Sequence, residues 1–185
     1  MQKKKGVDDM RIATHLEQTR DIIRYWKKQD LTIGLVTTMG KIKEGHIDLI
    51  KRAIHENDRV VVSAFVNPLQ FPSLEECNAY PVDDNETDAV CEELGVDLIF
   101  RPVREEMYSG RYCTFVTCEE WSEKLTASDQ FDYYRGFSTI VVKMFHIIQP
   151  DSIYIRNKST RDAELFKLLA QDLNMDVQIY TQDLR

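Results

Sequence analysis

His46 is the first side chain in this sequence placed to do chemistry. It stands in Glu44-Gly45-His46, behind the apolar run Leu31-Thr32-Ile33-Gly34-Leu35-Val36 and a turn at Met39-Gly40. Strand, glycine turn and helix start together bring backbone N–H groups and the positive end of a helix dipole to one spot. A phosphate fits there, and a histidine in the first helical turn can donate to its oxygens. On spacing alone the same pattern describes an ordinary strand-to-helix turn. A second polar pair, Asn67 and Gln70 in Phe65-Val66-Asn67-Pro68-Leu69-Gln70-Phe71, follows the next apolar run. That puts it just past a strand's carboxyl end, the edge at which open α/β sheets bind ligands. Either residue alone would read as a capped strand end.

The elements that must hold these groups follow from periodicity. Met10, Ile12, Ala13, Leu16, Ile22, Ile23 and Trp26 recur at helical spacing and predict a first helix from Asp8 to Lys28. Ile47, Leu49, Ile50, Ala53 and Ile54 share one face of a helix opened by Glu44. Arg59 to Val66 is nearly all apolar, as a central parallel strand covered on both faces requires. Phe71 to Tyr80 reads as a loop, Asp83 to Leu94 as a helix ended by Gly95, and Val96 to Phe100 as a strand stopped by Pro102. Thr114 to Thr117 is a candidate strand and Glu119 to Leu125 a candidate short helix. Phe137 to Ile148 is an apolar helix or buried segment. Ser152 to Ile155, Arg161 to Leu173 and Val177 to Tyr180 then give strand, amphipathic helix and last strand. Strands alternating with helices imply an α/β domain with a mostly parallel sheet.

Composition narrows the function classes. The 185 residues suit one domain, and 31 acidic against 24 basic side chains leave a formal charge of −7. That balance argues against a general nucleic-acid binder, which needs a basic face, while a local anion site can still take ATP. No apolar run approaches bilayer length. Cys77, Cys91, Cys113 and Cys118 lack metal-ligand spacing, so no metal site is expected, and they suit structural thiols in a cytoplasmic protein. His15 and His55 fall on polar helix faces, and His146 reads as a buried or interface histidine. Phe131, Tyr133, Tyr134 and Phe137 form an aromatic cluster read as packing in preference to a pocket wall.

Thr38-Met39-Gly40, Glu44-Gly45-His46 and Asn67-Pro68-Leu69-Gln70-Phe71, in this order, resemble pantothenate synthetases (pantoate–β-alanine ligases). The resemblance continues through Ala79-Tyr80-Pro81, Glu93 to Phe100, Glu106-Met107-Tyr108, Arg135-Gly136, Thr139 to Lys143 and Gln149-Pro150-Asp151. It implies a Rossmann-like domain of the nucleotidylyltransferase superfamily. It also implies a reaction in which pantoate attacks ATP, with Mg2+, to give pantoyl adenylate, and β-alanine then displaces AMP. On the same basis Met39, Gly40, Glu44, Gly45, His46 and Lys158 would bind ATP, with His46 catalytic. Gln70, with Asn67 beside it, would bind pantoate and β-alanine, and the protein would be a homodimer.

This sequence also departs from the family at ligand positions. Lys43 replaces the first histidine of His-x-Gly-His, and Thr37 a proline. Arg156-Asn157-Lys158-Ser159 stands for Gly-Glu-Lys-Asp, and Arg161-Asp162 for a glutamine pair that includes a pantoate-binding amide. An Asp162 facing the pocket would repel a carboxylate. The sequence ends at Arg185, ahead of the family's smaller C-terminal lid domain. The expected organisation is therefore a flexible tail over 1–9 and a single domain over 10–185 without that lid. A non-catalytic or repurposed paralogue, acting as a ligand-binding or interaction module, is the rival reading.

Overall fold

The structure is a computed structural model that describes residues 9–119, 128–156 and 160–182, without the side chains of 128–131, 160 and 161. Six strands form one parallel sheet in the order β1-β4-β3-β2-β5-β6: β1 (Arg11–Ala13), β2 (Ile33–Thr38), β3 (Arg59–Ala64), β4 (Leu98–Phe100), β5 (Ser152–Arg156) and β6 (Gln178–Gln182). Their helices are α1 (Leu16–Lys27), α2 (Glu44–Glu56), α3 (Leu74–Asn78), α4 (Asp84–Leu94), α5 (Arg104–Met107), α6 (Ser128–Ile148) and α7 (Thr160–Asp172).

Alternation along the strands divides the core into two layers. Leu35, Val61, Leu98, Phe100, Ile153 and Ile155 face α1, α6 and α7, where Ile23, Trp26, Met144 and Phe166 meet them. Val36, Val60, Val62, Ile99 and Tyr154 face α2 and α4, against Leu49, Ile50, Ala53 and Cys91. A sheet covered on both faces needs apolar residues at consecutive strand positions, and this explains the unbroken runs in β2 and β3. The four cysteines are free thiols. Among the described residues, no helix is long and apolar enough to cross a membrane.

Topology decides where a ligand can sit. From β2 the chain steps through α2 to β3 and onward to β4, then returns across α6 to lay β5 on the other side of β2. The crossovers flanking β2 therefore diverge, and a crevice opens at the carboxyl ends of β2, β3 and β5. Helix α2 packs over all three of these strands, with its amino end at the crevice.

Several expectations need correction. Met10, Ile12 and Ala13 do not belong to the first helix: Arg11–Ala13 is an edge strand paired with β4, and α1 begins at Leu16. A carboxylate distant in sequence sets that start. Glu106 accepts from the Leu16 N–H at 2.7 Å and is 2.6 Å from His15 Nδ1, so it caps α1 where no local residue does. Thr114–Thr117 does not join the sheet. The expected loop from Phe71 to Tyr80 contains α3, capped by the Ser73 hydroxyl. His146 is exposed at the side of α6, edge-on to Phe145, and is not buried. The expected tail, save Asp9, and most of the helix at Glu119 to Leu125 lie outside the described residues.

Candidate active site

Gly40 makes the turn after β2. Its φ of +85° is costly for any residue with a Cβ. The Thr38 hydroxyl accepts from the Gly40 N–H at 3.1 Å and donates to the Ser63 carbonyl at 3.0 Å, so the turn is tied to β3. Lys43 then caps α2 through its backbone carbonyl, which accepts from His46 N–H at 2.8 Å. In return the Lys43 N–H donates to His46 Nδ1 at 3.0 Å. With Nδ1 accepting, the neutral imidazole carries its proton on Nε2 and presents a donor. The first N–H groups of α2 have no intrahelical acceptor. The amino end of this helix is thus a place for negative charge.

After β3 the chain enters a short 3-10 turn, Pro68–Gln70, capped by Asn67. Asn67 is only 1% exposed, and all four of its amide hydrogen-bonding positions are filled by protein. Its nitrogen donates to Gln70 Oε1 at 2.9 Å and to the Gly136 carbonyl at 3.0 Å. Its oxygen accepts from Leu69 N–H at 3.3 Å and from the Tyr108 hydroxyl at 2.8 Å. Gly136 is what lets α6 come this close. A Cβ there would lie 2.3 Å from the Leu69 carbonyl oxygen, a backbone atom that cannot move aside.

Met39, Lys43, His46, Asn67 and Gln70 all line one cleft of about 1040 Å³, open solvent at its mouth included. Lys41 and Arg156 add positive charge, while Phe65, Ile140, Val141, Met144, Ile153 and Phe166 make an apolar wall. Arg156 lies over α2: a Cβ on Gly45 would meet its Nε at 2.7 Å. Asp162, 6% exposed in the first turn of α7, and Tyr133 on α6 complete the lining. Burial first, then the charge of Asp162, push the Tyr133 phenol up to about 12, against a hydrogen bond from Gln70 that works the other way. Tyr133 is therefore neutral at ordinary pH, and it faces both Gln70 and Asp162.

The sequence-derived set is thus only partly assembled. Met39, His46, Asn67 and Gln70 meet at the cleft, with Asn67 engaged by its own protein. Gly40 shapes the turn under Val82, Gly45 lies beneath Arg156, and Glu44 points to solvent. Lys158, Asn157 and Ser159 lie outside the described residues, and so does the Arg161 side chain. Tyr133 and Phe137, expected to pack, line the cleft, whereas Tyr134 packs against the core; the side chain of Phe131 is outside the description. Tyr108 went unnoticed as part of the site, because no local pattern says that its hydroxyl reaches a turn 41 residues away.

Comparison with known proteins bears on the family and the fold. The model of the pantoate-β-alanine ligase family matches residues 11–185. The pantothenate synthetase of Ruminiclostridium cellulolyticum is 41% identical over 170 residues, covering 92% of this chain and 60% of that protein. That of Clostridium acetobutylicum is 39% identical over the same shares. This chain thus spans about 60% of the length of these curated relatives. Among solved structures, pantothenate synthetase from Thermus thermophilus superposes with a TM-score of 0.86 at 31% identity, over 95% of this chain and 62% of that one. The Francisella tularensis pantoate-β-alanine ligase, complexed with beta-gamma ATP and β-alanine, gives 0.87 at 31% identity over 95% and 67%. A nucleotidylyltransferase-like parallel sheet, a donor histidine at the start of α2 and the Asn67–Gln70 turn accompany these matches, and the chain belongs to the pantoate–β-alanine ligase family.

Proposed function

We propose that the cleft joins a short carboxylic acid to an amine at the expense of ATP, through an acyl adenylate, with pantoate and β-alanine as the substrates that the family's name indicates. The acid's carboxylate oxygen attacks the α-phosphorus, the bond to the β-phosphate oxygen breaks, and pyrophosphate leaves. The amine nitrogen then attacks the acyl carbon, loses a proton, and AMP departs. His46 Nε2–H and the amino end of α2 stabilise the charge that grows on phosphate oxygens, where prearranged donors act most strongly. Lys43, Arg156 and Lys158 supply positive charge around the phosphates. Gln70 orients the acid, and Asn67 holds Gln70. Alignment of the carboxylate with the α-phosphorus supplies the rest of the rate.

The observation that carries this reading is the convergence of two donors whose orientation is fixed from behind. His46 is set by the Lys43 N–H, and Gln70 by the Asn67 amide. Among the described residues no cluster of carboxylate, histidine or thiol groups could cage a metal ion by itself. Mg2+ fits this cleft as a companion of the triphosphate, whose oxygens would share its shell with water. A homodimer and a cytoplasmic location belong to the same proposal.

One observation favours the binding-module alternative. Arg156 already covers Gly45 at the amino end of α2, where a phosphate would approach. Calorimetry with ATP and Mg2+ separates the two readings. The ligase reading expects ATP to bind, pyrophosphate to be released on adding pantoate, and pantothenate to form on adding β-alanine. Absence of ATP binding by the folded protein overturns it in favour of the module.

A further inference from the structure

Helix α6 carries a lysine outside the cleft whose surroundings work against its charge. Lys143 is half-buried and is not among the residues that line the cleft. Its Nζ stands 4.9 Å from the ring centre of Tyr112 and 5.3 Å from that of Tyr108. The two rings meet edge to face, with centroids 4.9 Å apart at 82°. Tyr108 is fixed from behind, because its hydroxyl donates to Asn67 Oδ1 at 2.8 Å. The fold thus builds the cage independently of the lysine.

No anion balances the ammonium there. Among the described residues no carboxylate pairs with Lys143. Burial pushes both phenols up from their usual range, so neither is a phenolate at ordinary pH. Burial first, and then the guanidinium of Arg20 on α1, push the Lys143 ammonium down from the usual lysine range. A ring face attracts an ammonium, but more weakly than a hydrogen-bonded carboxylate does. Desolvation and a neighbouring cation are the two conditions that turn a lysine into a nucleophile, because each favours the free amine. Arg20 makes only a long contact with Glu17, at 3.9 Å, and its planar guanidinium keeps donors for a phosphate.

We propose that Lys143 is an acylation site of this protein, modified by small acyl phosphates whose phosphate end is received by Arg20. The Nζ lone pair attacks the acyl carbon, the bond from that carbon to the phosphate oxygen breaks, and phosphate leaves with the electron pair. The nitrogen then gives a proton to water and an amide remains, so the cation facing Tyr108 and Tyr112 is lost. The site stands apart from the reaction proposed for the cleft and does not depend on it.

Acetyl phosphate, reacted with the folded protein at mildly alkaline pH and read lysine by lysine through mass spectrometry of peptides, tests it. Lys51 on α2 and Lys167 on α7 are exposed, so accessibility alone would favour them. Lys143 is expected to be acetylated at least about threefold faster than either. In guanidinium chloride, where the cage is gone, its rate is expected to fall to theirs. Arg20→Gln is expected to slow Lys143 about twofold, the scale of one partly exposed charge pair, while Lys51 keeps its rate. Lys143 reacting no faster than Lys51 and Lys167 in the folded protein overturns the proposal, as does an advantage that survives unfolding. An unchanged Lys143 rate in folded Arg20→Gln overturns it too; should that variant not fold, the first two comparisons decide.

Discussion

Asn67 donates a hydrogen bond to Gln70 Oε1 across 2.9 Å, so a buried amide decides which end of a half-buried one faces the ligand. Asn67→Asp is expected to break this. The replacement carboxylate cannot donate to Gln70 or to the Gly136 carbonyl, which leaves buried acceptors facing one another. Stability should fall by roughly 2 kcal/mol or more, read from urea unfolding. The KM for the acid should rise about tenfold, with a smaller change for ATP. Equal loss for both substrates would mean that Asn67 acts only on the fold.

Gly136→Ala tests the same turn from the α6 side. In an exposed helix this change usually stabilises by up to about 1 kcal/mol. Here the new methyl would stand 2.3 Å from the Leu69 carbonyl oxygen and 2.6 Å from its carbon, so either α6 or the Asn67–Gln70 turn must shift. The expected sign is reversed: destabilisation of about 1–3 kcal/mol, together with weaker acid binding. A variant more stable than wild type would contradict the close packing described.

Acid sensitivity should trace in part to Glu106. Its carboxyl is held below the usual range, first by the hydrogen bond from the Leu16 N–H and then by His15. A depressed folded pKa gives stability that is present in full above the unfolded value of about 4.3. That stability is lost as pH falls through the lower folded value. Glu106→Gln should therefore be less stable than wild type near neutral pH, and the gap should close as the solution is acidified below that window. A gap that stays constant with pH would show that the charge of Glu106 contributes nothing to capping α1.

Much of the architecture was legible because β2, β3, β4 and β5 are buried on both faces and so read as apolar runs. α4 was equally plain, with Asp83 capping its start and Gly95 ending it at a φ of +81°. What failed was decided at a distance. Ile12 and Ala13 fit a helical period, yet pairing with Ile99 and Phe100 makes them strand, and Glu106 delays α1 to Leu16. Within the cleft, His46 and Gln70 stood out through their local patterns. The links from Tyr108 to Asn67 and from Asn67 to Gly136 join three distant segments, and no local pattern announces them.

Exchange of labelled pyrophosphate into ATP, with and without an acid substrate, tests the central claim most directly. The account predicts exchange only when the acid is present. It also predicts a fall of about 10²–10³ in His46→Ala, the usual loss for one prearranged donor, and a raised acid requirement in Gln70→Ala. Folded protein that never exchanges, or whose exchange ignores both substitutions, would contradict it.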